Sequence, residues 1–330
     1  MHVWLESAKR GGVAAGCELR TAQANNPFLP GKLYDETKPT TYLMAFDVNN
    51  LYGKALQSYL PTHGFRWIEY DSDLWEKIQA DPTSFFKNYD NDVNKPATTG
   101  FTVEVDLSFP PDIHDKLKGL TPVPYKRTVQ FDELSPEQQE MFKNLNLGDT
   151  AMATPRLVTD LYPKKNYVVH YRVLKLYLDL GVKLDKVHKG IMYNQSDVLK
   201  CYMLRLAKNR EQAKTTFEKD LWKLAANAVY GKSVESVRNR SNFVIIRSRE
   251  QAMRYNKKPT VAGVMMLEVC ELVILRMKKL SVTLDKPLYL GITVLDEAKR
   301  ILYDWFYNKA TKNGETRLEL LQPTPTACIV

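Results

Sequence analysis

Residues 46–57 read Phe46-Asp47-Val48-Asn49-Asn50-Leu51-Tyr52-Gly53-Lys54-Ala55-Leu56-Gln57, and on this stretch the fold turns. The apolar run just before it, residues 42–46, suits a short buried strand that delivers a carboxylate, Asp47, at its end. An aspartate leaving a strand, with a tyrosine five residues on, can bind a metal ion and lay a ring against a sugar. The same aspartate suits the N-cap of a helix that begins just after it, and taken alone this plainer reading is the better one.

A second stretch carries a comparable pattern. In Lys223-Leu224-Ala225-Ala226-Asn227-Ala228-Val229-Tyr230-Gly231, the residues Lys223, Asn227 and Tyr230 stand at i, i+4 and i+7, so a helix places all three on one face. A cation, an amide and a ring along one stripe suit a nucleoside triphosphate, the cation on the phosphates and the ring on the base pair. A solvated helix face with Tyr230 turned to the core explains the same letters. Arg210 and Lys214, also i and i+4, precede the stripe and are placed to meet the same phosphates or simply to be solvated.

Outward from these segments the chain alternates between strand and helix signals. Residues 1–40 are loop-rich, with Gly11-Gly12 and Asn25-Asn26-Pro27 as breakers. Residues 71–100 are polar and weakly patterned and read as a surface insertion, whereas residues 101–107 alternate as a strand before Pro110-Pro111. Residues 167–180 are helical in period and close on Gly181, and residues 182–193 alternate again. Residues 197–232 hold neither Pro nor Gly before Gly231 and predict two helices folded back on each other. A strand over residues 288–290, a helix over 294–308 and a strand over 317–321 complete the pattern, which makes α+β the fold class.

Charge and cysteine usage narrow the function. A net charge of +9 over 330 residues suggests an anionic partner, since nucleic-acid proteins displace counterions from phosphates with positive charge. Cys17, Cys201, Cys270 and Cys328 lie far apart with no CxxC pair, which excludes a disulfide framework and argues against a zinc site. The first ten residues contain no apolar signal segment, and the longest apolar run, residues 261–275, is interrupted by Glu268 and Glu271. That run predicts a buried helix and no membrane span, so the expectation is a soluble, intracellular protein.

Taken in order, the two motifs resemble motif A (DxxSLYP) and the Kx3NSxYG motif of family B DNA polymerases. Residues 46–67, 167–184, 217–232 and 287–308 are similar to the protein-primed branch found in viruses and virus-like transposons, and the resemblance extends over residues 5–321. It implies a palm sheet, a helical fingers hairpin and inserted segments. The corresponding parts are palm at 1–70, an insertion and palm-associated region at 71–196, fingers at 197–232, a linking insertion at 233–287, and palm again at 288–321. The implied activity is template-directed addition of dNTPs to a primer 3′-hydroxyl with Mg²⁺. The implied partners are a DNA primer-template and a terminal protein as primer. By resemblance Asp47 and the Val48 carbonyl hold metal, and Asp47 is the catalytic carboxylate. Leu51, Tyr52, Arg210, Lys223, Asn227 and Tyr230 meet the nucleotide, with Tyr52 as the gate against a ribose 2′-hydroxyl. Arg10, Gly11 and Gly12, similar to the end of a YxGG loop, and Gly231 beneath the nascent base pair are the implied DNA contacts.

The chain departs from that family in several places. Asn50 stands for the Ser of motif A and Gly53 for its Pro; Ala228 stands for the Ser of Kx3NSxYG, and Lys9 for the Tyr of YxGG. The YxDTDS motif expected after residue 321 is replaced by Gln322-Pro323-Thr324-Pro325-Thr326-Ala327, which holds no carboxylate. The expectation is therefore a polymerase fragment without exonuclease domain, motif C or thumb, inactive as it stands. The alternative is a non-catalytic nucleic-acid-binding relic of a mobile element. The genetic code offers a cause. Residues 322–329 must be encoded CAR CCN ACN CCN ACN GCN TGY ATH, and the frame starting at the third base reads RCC NAC NCC NAC NGC NTG YAT. Those triplets permit Asp-Thr-Asp-Ser-Leu at the place where the motif is due, so the tail reads as a frameshift product.

Overall fold

A computed structural model describes residues 1–12, 23–29, 34–92, 96–146, 154–267 and 272–310, together with the backbone of 322–323 and 327–329. The chain begins with α1 (His2–Glu6), β1 (Ala45–Asp47), α2 (Leu51–Ala55), β2 (Leu60–Trp67), α3 (Asp73–Ala80), α4 (Pro82–Asn88) and β3 (Thr99–Ser108). It continues through α5 (His114–Leu117), β4 (Tyr125–Arg127), α6 (Pro136–Asn144), β5 (Arg156–Val158), β6 (Lys164–His170), α7 (Tyr171–Asp179) and β7 (Lys183–Ser196). The remainder is α8 (Lys200–Gln212), α9 (Thr216–Ser233), β8 (Asn242–Ile246), α10 (Arg249–Asn256), β9 (Val261–Leu267), β10 (Leu272–Met277), α11 (Leu288–Trp305), β11 (Gln322–Pro323) and β12 (Ala327–Ile329). The class is α+β, as expected.

The largest sheet is antiparallel, in the order β2-β7-β3-β6. Its central strand β3 is buried on both faces from Gly100 to Leu107. One face receives α7, whose apolar stripe (Tyr171, Val173, Leu174, Tyr177, Leu178) is fully covered. Helix α7 stops where the sequence says it must: Gly181, at φ +102°, follows it, Gly181 N–H donates to the Leu178 carbonyl, and Val182 N–H donates to that of Tyr177. This Schellman pair needs a left-handed residue at its hinge. The helix itself starts later than the periodicity suggests. Val168 and Val169 pair with Glu104 and Val103 in β6, and the His170 side chain accepts from Arg172 N–H to cap α7.

Four further expectations are corrected. Residues 71–100 are not merely a surface insertion, because α3 and α4 bury Ile78 and Phe86 completely. Residues 261–267 and 272–277 form an antiparallel strand pair rather than a buried helix, with Ile274 opposite Met265 and Leu275 opposite Val264. β-Branched residues at Val261, Val264, Val273 and Ile274 favour that choice. Residues 288–290 are helical, the first turn of α11, since Leu288, Ile292 and Leu295 recur at helical spacing and are all buried. The strand before Asp47 is short and exposed, with Phe46 at 40%. The strand expected over 317–321 lies outside the described residues.

Helices α8 and α9 pack against each other as a hairpin, as the unbroken helical run predicts. Thr215 and Glu218 close a capping box at the start of α9. A small core of Leu51, Ala55, Leu56, Met203, Leu206, Ala226, Val294 and Ala298 joins α2, α8, α9 and α11. No helix among the described residues is long and apolar enough to cross a membrane.

Candidate functional site

Strand β1 ends on Asp47, whose side chain is exposed and whose register partner on β12 is Ala327. Two residues turn the chain, and Asn50, in the left-handed region at φ 53°, caps α2. Helix α2 is pinned by Leu51, 2% exposed, and Ala55. Leu51 is thus an anchor of the core, and only its backbone faces outward chemistry. Tyr52, the next residue, is half-buried and stacks on Tyr230 of α9, ring centroids 4.6 Å apart and planes within 5°. The two sequence motifs meet ring to ring.

Burial raises the Tyr52 hydroxyl above its ordinary pKa, and burial plus the neighbouring Tyr52 pushes Tyr230 up to about 12. Both rings are neutral hydrogen-bonding groups at physiological pH. On the same stripe of α9, Lys223 and Asn227 are exposed, as is Arg210 in the last turn of α8. Residues 200–233 carry eight Lys or Arg against three Asp or Glu, so this hairpin holds most of the chain's positive excess. Gly231 has open space where a Cβ would be, which leaves the surface beside Tyr230 accessible to a flat group.

Arg10 does not sit as the resemblance implies. Its side chain is 4% exposed, its guanidinium lies 3.8 Å over the Tyr167 ring, and Nη2 donates to the Val168 carbonyl. Its own carbonyl accepts from Lys299 Nζ at 2.9 Å. Arg10 therefore ties the N-terminal segment to β6 and α11, and its side chain is unavailable to DNA. A Cβ at Gly11 would meet nothing within 4 Å among the described residues; Gly12 ends the described segment.

The donor set around Asp47 fits one divalent cation, held by a carboxylate and a backbone carbonyl and completed by phosphate oxygens. Among the described residues it does not extend to a pair. The described residues of β11 and β12 (Gln322, Pro323, Ala327, Cys328, Ile329) offer no second carboxylate, and no cluster of three His, Cys, Asp or Glu that could hold a metal occurs among the described residues.

Sequence reading missed a buried ionic network behind the site. Glu297 of α11 is fully buried between Arg300 Nε at 2.8 Å and Arg172 Nη1 at 3.7 Å, with the neutral His170 ring 3.8 Å away. Asp296 accepts from His170 N–H at 3.0 Å and pairs with Lys299 at 3.3 Å. In the letters Asp-Glu-Ala-Lys-Arg nothing distinguishes this from a solvated helix face.

The fold is similar to part of a DNA polymerase. Over 100% of its length the chain superposes on phi29 DNA polymerase complexed with primer-template DNA (post-translocation binary complex), with a TM-score of 0.54 and 12% identity, spanning 42% of that protein. The ternary complex with primer-template DNA and incoming nucleotide gives 0.51 at 13% identity over 99% of this chain and 42% of that one. The orthorhombic crystal form gives 0.51 at 11% identity, over 99% and 43%. At such identity the likeness establishes the fold. No family model matches the sequence, and no curated protein matches it.

Proposed function

We propose that this chain is the palm-and-fingers part of a protein-primed, family B DNA polymerase, which adds dNTPs to a primer 3′-hydroxyl under the direction of a template. The observation that carries the reading is the parallel stack of Tyr52 on Tyr230, because it joins two distant motifs whose spacing suits the sugar and base of one nucleotide. In this reading Tyr52 closes the space of a 2′-hydroxyl, and Tyr230 with Gly231 floors the base pair. Lys223, Asn227 and Arg210 meet the triphosphate. Such groups act by positioning and charge neutralisation rather than by covalent chemistry. Asp47 and the Val48 carbonyl hold one Mg²⁺, whose chemistry is to neutralise phosphate charge. The palm spans 1–70 and 288–321 and the fingers 197–232, with 71–196 as an insertion and palm-associated region and 233–287 as a linking insertion. DNA, dNTP and a terminal protein are the partners.

A second reading, a nucleic-acid-binding protein without polymerase activity, is favoured by Ala327 as the residue opposite Asp47. Two measurements separate the readings from each other and from neither. Gel shift of a primer-template with salt titration tests DNA binding, and primer extension with dNTPs and Mg²⁺ tests catalysis. Extension by the protein whose tail is read in the shifted frame, with none by the chain as it stands, supports the polymerase fragment; a shift with extension by neither supports the second reading. Absence of binding at low ionic strength overturns both.

A further inference from the structure

Two residues depart from the DxxSLYP pattern, Asn50 in place of Ser and Gly53 in place of Pro, and the structure brings them into contact. Asn50 lies at φ 53° and ψ 51°, where asparagine is among the few non-glycine residues tolerated. From that backbone its side-chain oxygen accepts from Gly53 N–H at 3.2 Å, the only side-chain cap recorded for α2. A proline at 53 would remove that donor. Gly53 in turn is required for space rather than for an unusual φ. A Cβ there would lie 2.2 Å from Asn50 Nδ2 and 2.5 Å from its Cγ and Oδ1. Each departure permits the other.

We infer that Asn50 and Gly53 are a matched positioning pair that sets the ring plane of Tyr52 against Tyr230. Helix α2 has five residues, too few to be stable by its own hydrogen bonds, so its first turn takes its orientation from the cap and from the buried Leu51. Tyr52 lies between the two members of the pair, with its ring within 5° of parallel to its partner. A cap displaced by even one methyl group rotates that turn and tilts the ring. Neither residue touches the nucleotide in this scheme. Its consequence for sugar selection rests on the gate reading of Tyr52 given above, whereas the positioning itself does not.

The test is ¹⁹F NMR of the chain carrying 3-fluorotyrosine at position 52, with Tyr230→Leu supplying the unstacked reference. Gly53→Ala should move the resonance most of the way to that reference and lower Tm, although alanine is the better helix former. Adding Asn50→Gly, which keeps the left-handed backbone and removes the clashing amide together with the cap, should return the resonance part of the way, the buried Leu51 still anchoring the turn. Asn50→Asp, which keeps the accepting oxygen, should leave it there throughout. A native resonance in Gly53→Ala, or a double variant no better than the single one, overturns the pair. The ratio of ribonucleotide to deoxyribonucleotide binding is read separately on the same variants. A moved resonance with an unmoved ratio keeps the pair and overturns the gate reading.

Discussion

The two halves of the candidate site are built to different standards. The aromatic half stands on helices α2, α9 and α11, which share a buried core running from Leu51 to Ala298. The carboxylate half stands on a three-residue exposed strand whose neighbour contributes Ala327. Packing fixes the rings, whereas on β1 the described aromatic contact is that of Phe46 with Trp305, ring centroids 5.1 Å apart. The contrast teaches that the Tyr52–Tyr230 pair is held by burial, because both rings also pack on the core. An exposed carboxylate such as Asp47 makes little packing contact, so its removal should cost the fold little.

The sharpest way to break this contrast is to restore the reading frame from the third base of the Gln322 codon. Sequencing the locus should show G, A, G and A at the free bases that make Asp-Thr-Asp-Ser, and any other bases make the tail a genuine ending. The restored protein should extend a primer, and Asp47→Asn within it should reduce extension by about 10³-fold or more, since divalent charge supplies several kcal/mol and each 1.36 is tenfold. The unrestored chain should show no extension in the same assay.

A smaller effect addresses the aromatic half. In the restored protein Tyr52→Ala should raise ribonucleotide incorporation about 10–100-fold, on the order of 1–3 kcal/mol of lost steric discrimination, while dNTP incorporation falls little. A variant that still rejects ribonucleotides removes Tyr52 from the gate role.

The ionic network behind the site makes its own prediction. His170 is buried and its pKa is depressed to about 3, by desolvation first and by Arg172 second, against the pull of Asp296 and Asp90. A neutral buried histidine contributes stability above the unfolded-state pKa near 6.5, and loses it as pH falls through that value toward 3. Denaturant melts should therefore show stability dropping by about 1.4 kcal/mol per pH unit below pH ~6, and His170→Gln should flatten that slope. An unchanged slope places the titration elsewhere.

The least effect concerns the exposed cations. Lys223 and Arg210 meet the triphosphate in the proposed reading, so Lys223→Ala and Arg210→Ala should each weaken dNTP binding on the order of tenfold, as loss of a charged hydrogen bond does, and leave the salt slope of DNA binding unchanged. Arg10→Ala should lower Tm and leave the slope alone, because its side chain is spent on Val168 and Tyr167.

By itself the sequence determined the fold class, the α8–α9 hairpin, the stop of α7 at Gly181 and the shared stripe of Lys223, Asn227 and Tyr230. These follow from local spacing and from one glycine, which a chain carries in its letters whatever it packs against. Only the tertiary structure decided what depends on distant neighbours. The apolar run at 261–277 became strands through cross-strand pairing, and α11 began at Leu288 because its first turn is buried. Arg10 turned inward onto Tyr167 instead of outward to a phosphate. The charges of Asp296, Glu297 and Lys299 went into the interior because partners from β6, α7 and the N-terminal segment, far away in sequence, meet them there. A helical period gives the face on which a residue lies, and only the packed neighbour decides whether that face meets water, a carboxylate or another ring.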